Sequence, residues 1–356
     1  MHHYRIGLTV GLIGICTQLF AEQHADFPLS FSGTLPCADC DGIETRINLF
    51  GDGVFRSALT YLGRESDGPN ANVFYDMGQW EADADTPSSV RLLTDEEGMN
   101  LFTYEAGTGL TMLASDGTQI ASSLNYTLPA DEPFELLPMA LYATGLLGQS
   151  GHDLTFAECK TGVRFPIHNA GAIEELRALR SGLPPDSEIL VSLFSLISPR
   201  PSEGPGSPMI DSVTAGLIVG ASASADCAAA LKRPPLTGTT WRLVSLNGGA
   251  VDHDAVGQAA TLTFSSPVDD ARVAAETGCN IISGGYNRNG ASLTIGGAGG
   301  ALLSTRRACP SAVTELETNL SAALIATRSW LIEAQFLQLS GENSVPLAVF
   351  EAIPAQ

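Results

Sequence analysis

The chain has 356 residues, of which 44% are hydrophobic and 16% are charged, and its formal net charge is −21. This composition is typical of globular domains and excludes a largely disordered chain. The negative charge would repel nucleic acid and anionic membrane surfaces, so neither is predicted as a partner. The length allows two or three domains.

The N-terminus is typical of a secretory signal. Arg5 supplies a basic start, and the apolar run from Leu8 to Phe20 is too short to span a bilayer comfortably. Residues 1–21 are therefore predicted to be a signal peptide, with Ala21 at the cleavage point. The mature protein is predicted to be periplasmic, with no transmembrane helix. A lipid anchor at Cys16 is disfavoured, because Ile15 stands where a bacterial lipoprotein signal requires a small residue.

Six cysteines follow this segment. An even number of cysteines after an export signal predicts three disulfides. The cysteines fall in sequence as three pairs, one in each predicted domain. The predicted pairs are Cys37–Cys40, Cys159–Cys227 and Cys279–Cys309.

The first predicted domain, residues 27–130, has the pattern of many short strands. Ile43–Leu49 alternates with period two, Gly51–Gly53 is a turn signal, and Val54–Leu62 continues as the partner strand. Further short strands with regular turns follow. The pattern predicts a small β-barrel or sandwich.

Cys37 and Cys40 stand in a tight turn at the start of this domain, and three interpretations of the pair remain open. In an oxidising compartment the two thiols form a structural disulfide. As thiolates they would bind a soft metal ion such as Cu(I). A redox-active pair is the third interpretation, but Asp39 and Asp41 would raise a neighbouring thiol pKa, and the strand-to-helix context of such motifs is missing.

Five motifs of this region resemble the N-terminal domain of the NlpE family, envelope proteins linked to copper homeostasis and to the sensing of surface and envelope stress. The resemblance implies a small lipocalin-like barrel that is usually lipid-anchored. The family's link to copper makes copper the candidate ion if Cys37 and Cys40 bind a soft metal; no cofactor is predicted with certainty. The motifs are Gly33–Ile43, Tyr61–Gly63, Gly78–Trp80, Leu110–Leu113 and Leu124–Leu128.

Pro129–Pro138 is predicted to be a linker, and residues 139–233 form the second predicted domain. A helix is predicted over Ala172–Arg180, and a flexible loop over Ser198–Pro208. Strands are predicted at Leu154–Phe156, Val163–Ile167 and Ile189–Ile197.

This second domain is similar to the OB-fold-like module of NlpE-type proteins, on the motifs Tyr142–Gly145 and Phe156–Gly162. OB folds often bind oligonucleotides in a basic groove. The chain contains only two lysines, Lys160 and Lys232, so nucleic-acid binding is not predicted.

Residues 236–353 form the third predicted domain. A helix is predicted to start with Pro310 in its first turn. Four of its residues share one face: Val313, Leu316, Leu320 and Leu324. The domain resembles the META (HslJ-like) family, which implies a compact β-rich unit with one packed helix and transfers no catalytic residue. The matching positions are Gly238, Trp241, Gly278–Asn280, Tyr286 and Ser304–Pro310.

Two features of the third domain have alternative interpretations. Arg306 and Arg307 would hold an anion or contact a partner near the helix start, or else face solvent or pair with an acidic neighbour. Cys279 and Cys309 would bind a metal as a second thiol pair, or else form a disulfide that pins the helix to the sheet.

The predicted fold class is therefore mainly β, with tandem small β-barrel-like domains, the last being α+β with one packed helix. No nucleophile elbow, zinc-protease motif or phosphate-binding loop is found, so the protein is predicted not to be an enzyme. The predicted function is that of an NlpE-like envelope protein in copper homeostasis or envelope stress, with a protein partner in the envelope. The alternative is a periplasmic structural or interaction protein whose disulfides are purely structural.

Overall fold

The computed structural model describes residues 27–63, 73–82, 88–94, 100–184, 186–202, 207–223, 226–252, 257–266, 271–296, 301–342 and 345–353. The predicted signal peptide and Cys16 lie outside these residues. The described chain is mostly β, as predicted, and divides into two compact units. Of the described residues, the first unit comprises those within 27–141 and 197–199, and the second comprises those within 142–196 and 200–353.

Eight strands form the sheet of the first unit in sequence order. They are β1 (Leu29–Leu35), β2 (Gly42–Leu49), β3 (Val54–Leu62), β4 (Val73–Ala82), β5 (Ser89–Leu93), β6 (Leu101–Glu105), β7 (Gly109–Met112) and β8 (Thr127–Leu128). The predicted β2–β3 hairpin is confirmed, and its register pairs Leu49 with Phe55. The segment after β8 returns to β1: Ser32 N–H donates to Pro129 C=O over 3.2 Å. The first and last parts of the sheet therefore meet, which gives the unit a barrel-like form.

The core of the first unit lies inside this sheet, because alternate strand residues point inward. Phe31, Phe55 and Leu110 are fully buried there, and Trp80 donates its Nε1 hydrogen to the Phe50 carbonyl over 3.0 Å. Gly109 has a φ of +120°, and a Cβ at this position would lie 2.1 Å from the Leu128 carbonyl oxygen. A glycine is required where β7 passes this closely to β8.

Buried polar groups of this unit hold the segment that the sequence predicted to be a linker. Asn48 accepts a hydrogen bond from Leu137 N–H at 2.7 Å and donates to the Glu135 carbonyl at 3.0 Å. Arg56 Nη1 donates to the Leu137 carbonyl at 3.4 Å. Asn48 and Arg56 are 2% and 3% exposed, so their pairing with backbone groups is needed to offset the cost of burial. Residues 135–137 are thus attached to β2 and β3.

A closed five-stranded barrel of order β10-β11-β13-β12-β9 lies almost wholly in the second unit. Its elements are β9 (Met139–Ser150), β10 (Asp153–Glu158), β11 (Arg164–Gly171), helix α1 (Ile173–Arg180), β12 (Ile189–Pro201) and β13 (Met209–Ser222), with the short helix α2 (Cys227–Ala230) after it. Helix α1 confirms the predicted helix to within one residue. The assignment of this barrel to the OB-fold class remains a prediction.

The predicted loop over Ser198–Pro208 is wrong in its first part, because β12 continues to Pro201. Proline fixes φ near −65°, which lies within the extended region, so Pro199 and Pro201 are compatible with the end of a strand. Ser202 N–H donates to the Pro208 carbonyl at 3.0 Å. Residues 203–206 of the predicted loop lie outside the described residues.

The rest of the second unit is a ten-stranded sheet in which β14 also pairs with β23, so that the sheet closes on itself. Its strands are β14 (Thr240–Leu246), β15 (Gly249–Ala250), β16 (Thr261–Phe264), β17 (Arg272–Glu276), β18 (Ile281–Asn289), β19 (Ser292–Ile295), β20 (Leu303–Ser304), β21 (Ser329–Glu333), β22 (Phe336–Ser340) and β23 (Pro346–Ile353). Helix α3 (Ser311–Ala326) packs against it, and Pro310 is the N-cap residue and not part of the first turn.

The core of this sheet contains the fully buried Trp241, whose Nε1 donates to the Leu236 carbonyl at 3.1 Å. Leu316, Leu320 and Leu324 of α3 enter the same core, as the helical periodicity predicted. Within the second unit, the barrel and the ten-stranded sheet share apolar contacts: Val219 of β13 packs with Phe336 of β22. No helix among the described residues is long and apolar enough to cross a membrane.

Candidate functional site

The first candidate site is the turn that joins β1 to β2. The structure joins Cys37 to Cys40 as a disulfide, with their Cα atoms 5.4 Å apart. Asp39 is exposed, and its Oδ1 lies 3.5 Å from Cys37 Sγ. Cys37, Asp39 and Cys40 bring one sulfur, one oxygen and one sulfur ligand atom within 4.8 Å of one another.

The end of β3 supports this turn. Asp41 N–H donates to the Leu62 carbonyl at 3.1 Å. Gly63, at a φ of +73°, lies so close to Asp41 that a Cβ on it would be 2.3 Å from the carboxylate Oδ2. The turn is therefore held at the sheet edge while its sulfurs remain partly exposed, which leaves the disulfide accessible to thiol exchange.

The disulfide Cys159–Cys227 has a different environment. Its two residues pack with the buried Leu190, Ala230 and Ala334 in an apolar cluster of the second unit. Asp226 caps α2 by accepting from Ala229 N–H at 2.8 Å. Apolar packing of this kind is typical of a structural disulfide.

Glu158 lies next to Cys159 and is 4% exposed. Its Oε1 accepts from Lys160 N–H at 2.9 Å, and its Oε2 accepts from Thr161 N–H at 2.8 Å and from Thr161 Oγ1 at 2.7 Å. Burial raises the pKa of the Glu158 carboxyl, although these donors favour the charged form. The carboxylate organises the turn between β10 and β11.

The second candidate site lies at the start of helix α3. Cys279 and Cys309 are joined, with a Cα–Cα distance of 6.1 Å, and Glu317 of α3 places Oε1 3.8 Å from Cys309 Sγ. The two sulfurs and this carboxylate form the other group of potential metal ligands found among the described residues. The disulfide connects the loop before β18 to the loop before α3.

A buried asparagine organises the second site. Asn280 is 5% exposed, and its Nδ2 donates to Glu317 Oε2 at 2.9 Å. Its Oδ1 accepts from Thr305 Oγ1 and from Arg307 N–H, both at 2.9 Å. Arg306 and Arg307 themselves have exposed side chains, and their predicted role in anion or partner contact remains a prediction.

Sequence reasoning missed Glu317 as a neighbour of the cysteines. It occupies the position after Leu316 on the helix, and only the approach of α3 to the Cys279 loop brings it to the sulfurs. It also missed Glu333, a 7% exposed carboxylate that accepts from Thr144 Oγ1 at 2.9 Å within the second unit. Glu333 is the last residue of β21, a strand that the sequence analysis did not predict, and this position brings it to Thr144.

Comparison with known proteins identifies both ends of the chain. The NlpE N-terminal domain family matches residues 31–123, and the META domain family matches residues 234–353. Lipoprotein NlpE of Escherichia coli (strain K12) is 35% identical over 155 residues, which cover 43% of this chain and 62% of that protein. The match thus spans less than two thirds of the length of that relative.

Two solved structures are also similar in sequence. The crystal structure of the Cpx pathway activator NlpE from Escherichia coli is 26% identical, covers 56% of this chain and 98% of its own, and has a TM-score of 0.24. An NMR structure of a protein from Burkholderia xenovorans is 26% identical, covers 34% of this chain and 85% of its own, and has a TM-score of 0.28. Superpositions with scores this low carry no argument about the fold. The family matches do: residues 31–123 form an NlpE N-terminal domain, and residues 234–353 form a META domain.

Proposed function

We propose that this protein is a non-enzymatic, NlpE-like protein of the cell envelope that acts in copper homeostasis or in the envelope-stress response. The observation that carries the proposal is the partly exposed Cys37–Cys40 turn within the domain that matches the NlpE family. The Escherichia coli NlpE is described as a Cpx pathway activator, and we extend an activating role of this kind to the present chain.

The chemistry of the turn supports two sensing modes. The disulfide between Cys37 and Cys40 would report the thiol–disulfide balance of the envelope through exchange with an outside thiolate. Once reduced, the two thiolates would bind Cu(I), a soft ion that prefers sulfur ligands. The response would then pass to a protein partner in the envelope.

Export is part of the proposal. Residues 1–21 would direct the chain to the periplasm, and the three disulfides agree with an oxidising compartment. The Escherichia coli relative is named a lipoprotein, and Cys16 is the residue of this chain that would carry a lipid. The intact mass of protein extracted from envelopes distinguishes an acylated Cys16 from cleavage near Ala21.

We propose that the chain consists of three domains: residues 27–130, 139–233 and 236–353.

A second candidate function, a periplasmic interaction protein with purely structural disulfides, is favoured by one observation. Cys159–Cys227 is packed in an apolar cluster and, among the described residues, belongs to no group of potential metal ligands, unlike Cys37 and Cys40.

The test replaces Cys37 and Cys40 by serine in the native host. We expect the double variant to lose most of the induction of an envelope-stress reporter by copper or by surface contact, and to lower copper tolerance, at unchanged protein level. The matched control replaces Ser122 and Ser123, exposed residues of the same unit, by alanine and should respond as the wild type does.

Unchanged copper tolerance and unchanged signalling in the Cys37→Ser, Cys40→Ser variant would refute the sensing role. If the protein still co-purified with the same envelope partner in that case, the second candidate function would be the correct one.

A further inference from the structure

The site around Cys279, Cys309 and Glu317 contains more preorganised polar groups than a structural disulfide needs. Glu317 Oε1 accepts from Thr277 Oγ1 at 2.6 Å and from Asn280 N–H at 3.1 Å. Its Oε2 accepts from Asn280 Nδ2 at 2.9 Å. Thr277 is 0% exposed and Asn280 is 5% exposed, so the carboxylate is oriented by donors that are themselves fixed by packing.

This orientation aims the carboxylate at the sulfurs. Glu317 Oε1 lies 3.8 Å from Cys309 Sγ, and Asn280 Nδ2 lies 3.1 Å from the same sulfur. The sulfurs of the intact disulfide carry no hydrogen, so neither can donate a hydrogen bond to this carboxylate. The two sulfurs and one Glu317 oxygen lie within 4.8 Å of one another, so reduction of the disulfide would leave them close enough to bind one metal ion. The Asn280 side-chain amide would then be positioned to stabilise the Cys309 thiolate.

We propose that reduction of the Cys279–Cys309 disulfide creates a binding site for one zinc ion, with the two thiolates and the Glu317 carboxylate as its protein ligands. A protein dithiol would supply two electrons and two protons to the disulfide and would itself become a disulfide. Zn²⁺ would then bind both sulfurs and one carboxylate oxygen, and the two thiol protons would leave to solvent.

The ligand set favours zinc over copper. Cu(I) prefers sulfur alone, whereas Zn²⁺ accepts cysteine sulfur and carboxylate oxygen together. Three protein ligands leave a fourth tetrahedral position for water or for a group from a partner. The Cα–Cα distance of 6.1 Å already brings the two cysteines together, so separating the sulfurs requires side-chain rotation and little backbone movement.

Asn280 is a positioning residue in this scheme. It contacts Glu317 through both its backbone N–H and its side chain, and it holds the loop before α3 through Arg307 N–H. Outer contacts of this kind orient metal ligands and typically change affinity by about 10- to 100-fold.

The experiment uses the full chain with Cys37→Ser and Cys40→Ser, so that the other cysteine–carboxylate cluster is removed. The protein is reduced with a phosphine without oxygen, and Zn²⁺ is titrated against a chromophoric chelator. We expect one zinc ion per chain after reduction and none before it. Replacing Zn²⁺ by Co²⁺ should give the absorption of two thiolate ligands.

Three variants in this background identify the ligands. Cys279→Ser with Cys309→Ser should abolish zinc binding. Glu317→Gln should weaken zinc binding by at least about tenfold, because losing a residue that only orients a ligand already costs about 10-fold in affinity. Glu315→Gln removes the same charge from an exposed position of the same helix and should bind as the parent does. Circular dichroism checks that each variant is folded. The two glutamine variants are measured before reduction, while their disulfides are intact.

Two results would overturn the proposal. In the first, the Cys279→Ser, Cys309→Ser variant, folded by circular dichroism, still takes up one zinc ion, which would place the metal away from these two cysteines. In the second, Glu317→Gln and Glu315→Gln bind equally tightly, which would show that the carboxylate is not a ligand.

Discussion

Glu158 shows how a single buried charge makes stability depend on pH. Burial raises the pKa of this carboxyl in the folded protein, while its three hydrogen bonds only partly compensate. Between the pKa of the unfolded chain and that of the folded protein, the folded state holds more protons. The free energy of unfolding of the second unit therefore contains a contribution that is present at low pH and is lost as the pH rises.

We expect Glu158→Gln to remove this contribution, because glutamine does not titrate. The difference in unfolding free energy, wild type minus variant, should fall as the pH rises from about 4, where an unfolded glutamate titrates. Urea titrations in a Trp80→Phe background measure it, since Trp241 and Trp330 then report on the second unit alone. Glu175→Gln, an exposed site on α1, should follow the wild type, and a pH-independent difference for Glu158→Gln would contradict the prediction.

The sequence predicted the cysteine pairs better than it predicted the carboxylates that lie beside them. An even number of cysteines does not fix their pairing, because six cysteines allow 15 connectivities. The pairs were predicted because the six cysteines fall two to each predicted domain, and the same pairs are joined in the structure. The carboxylates were not predictable in this way. Glu317 is one of two acidic residues on α3, and only the packing of the helix onto the loop at Cys279 separates it from the other, the exposed Glu315.

Helix α3 contributes part of the hydrophobic core of the META domain. Its apolar face places Leu320, which is 0% exposed, among the core residues of the ten-stranded sheet. Removing buried methyl groups costs their transfer free energy and leaves a cavity that the surrounding sheet fills only partly.

We expect Leu320→Ala to lower the free energy of unfolding of the second unit by about 2–5 kcal/mol. Asn319→Ala, on the exposed side of the same helix, should change it by no more than about 0.5 kcal/mol. The same urea titration in the Trp80→Phe background measures both. Equal effects for the two variants would mean that α3 does not contribute its apolar face to the core.

Elements with strong local signals were predictable from the sequence. The β2–β3 hairpin combines period-two alternation with a glycine turn, and helix α1 combines acidic residues at its start with basic residues at its end. The signals fail where tertiary context decides. The end of β12 contains two prolines and looks like a loop, and β21 is too short and too mixed in character to be distinguished from a connection.

The barrel and the META sheet pack together within the second unit. The sequence predicted separate domains, and those boundaries remain a prediction, but residues 142–196 and 200–356 form one compact unit. Thr144 Oγ1 and Glu333 Oε1 meet across 189 residues of sequence, and no local pattern reveals such a contact. Because Thr144 donates to the carboxylate, its oxygen accepts the hydroxyl of Ser192 at 2.7 Å.

A double-mutant cycle between Thr144→Val and Glu333→Gln tests whether this contact joins the two parts energetically. We expect a coupling of about 1.5–3 kcal/mol, the range for a hydrogen bond to a charged group, because Glu333 is buried and its alternative donor, Arg233, is 3.5 Å away. The exposed pair Arg164–Glu188, at 2.8 Å within the barrel, should couple by less than about 1 kcal/mol when each is replaced by alanine. A Thr144–Glu333 coupling as small as that of the exposed pair would mean that the apolar clusters alone hold the META sheet to the barrel.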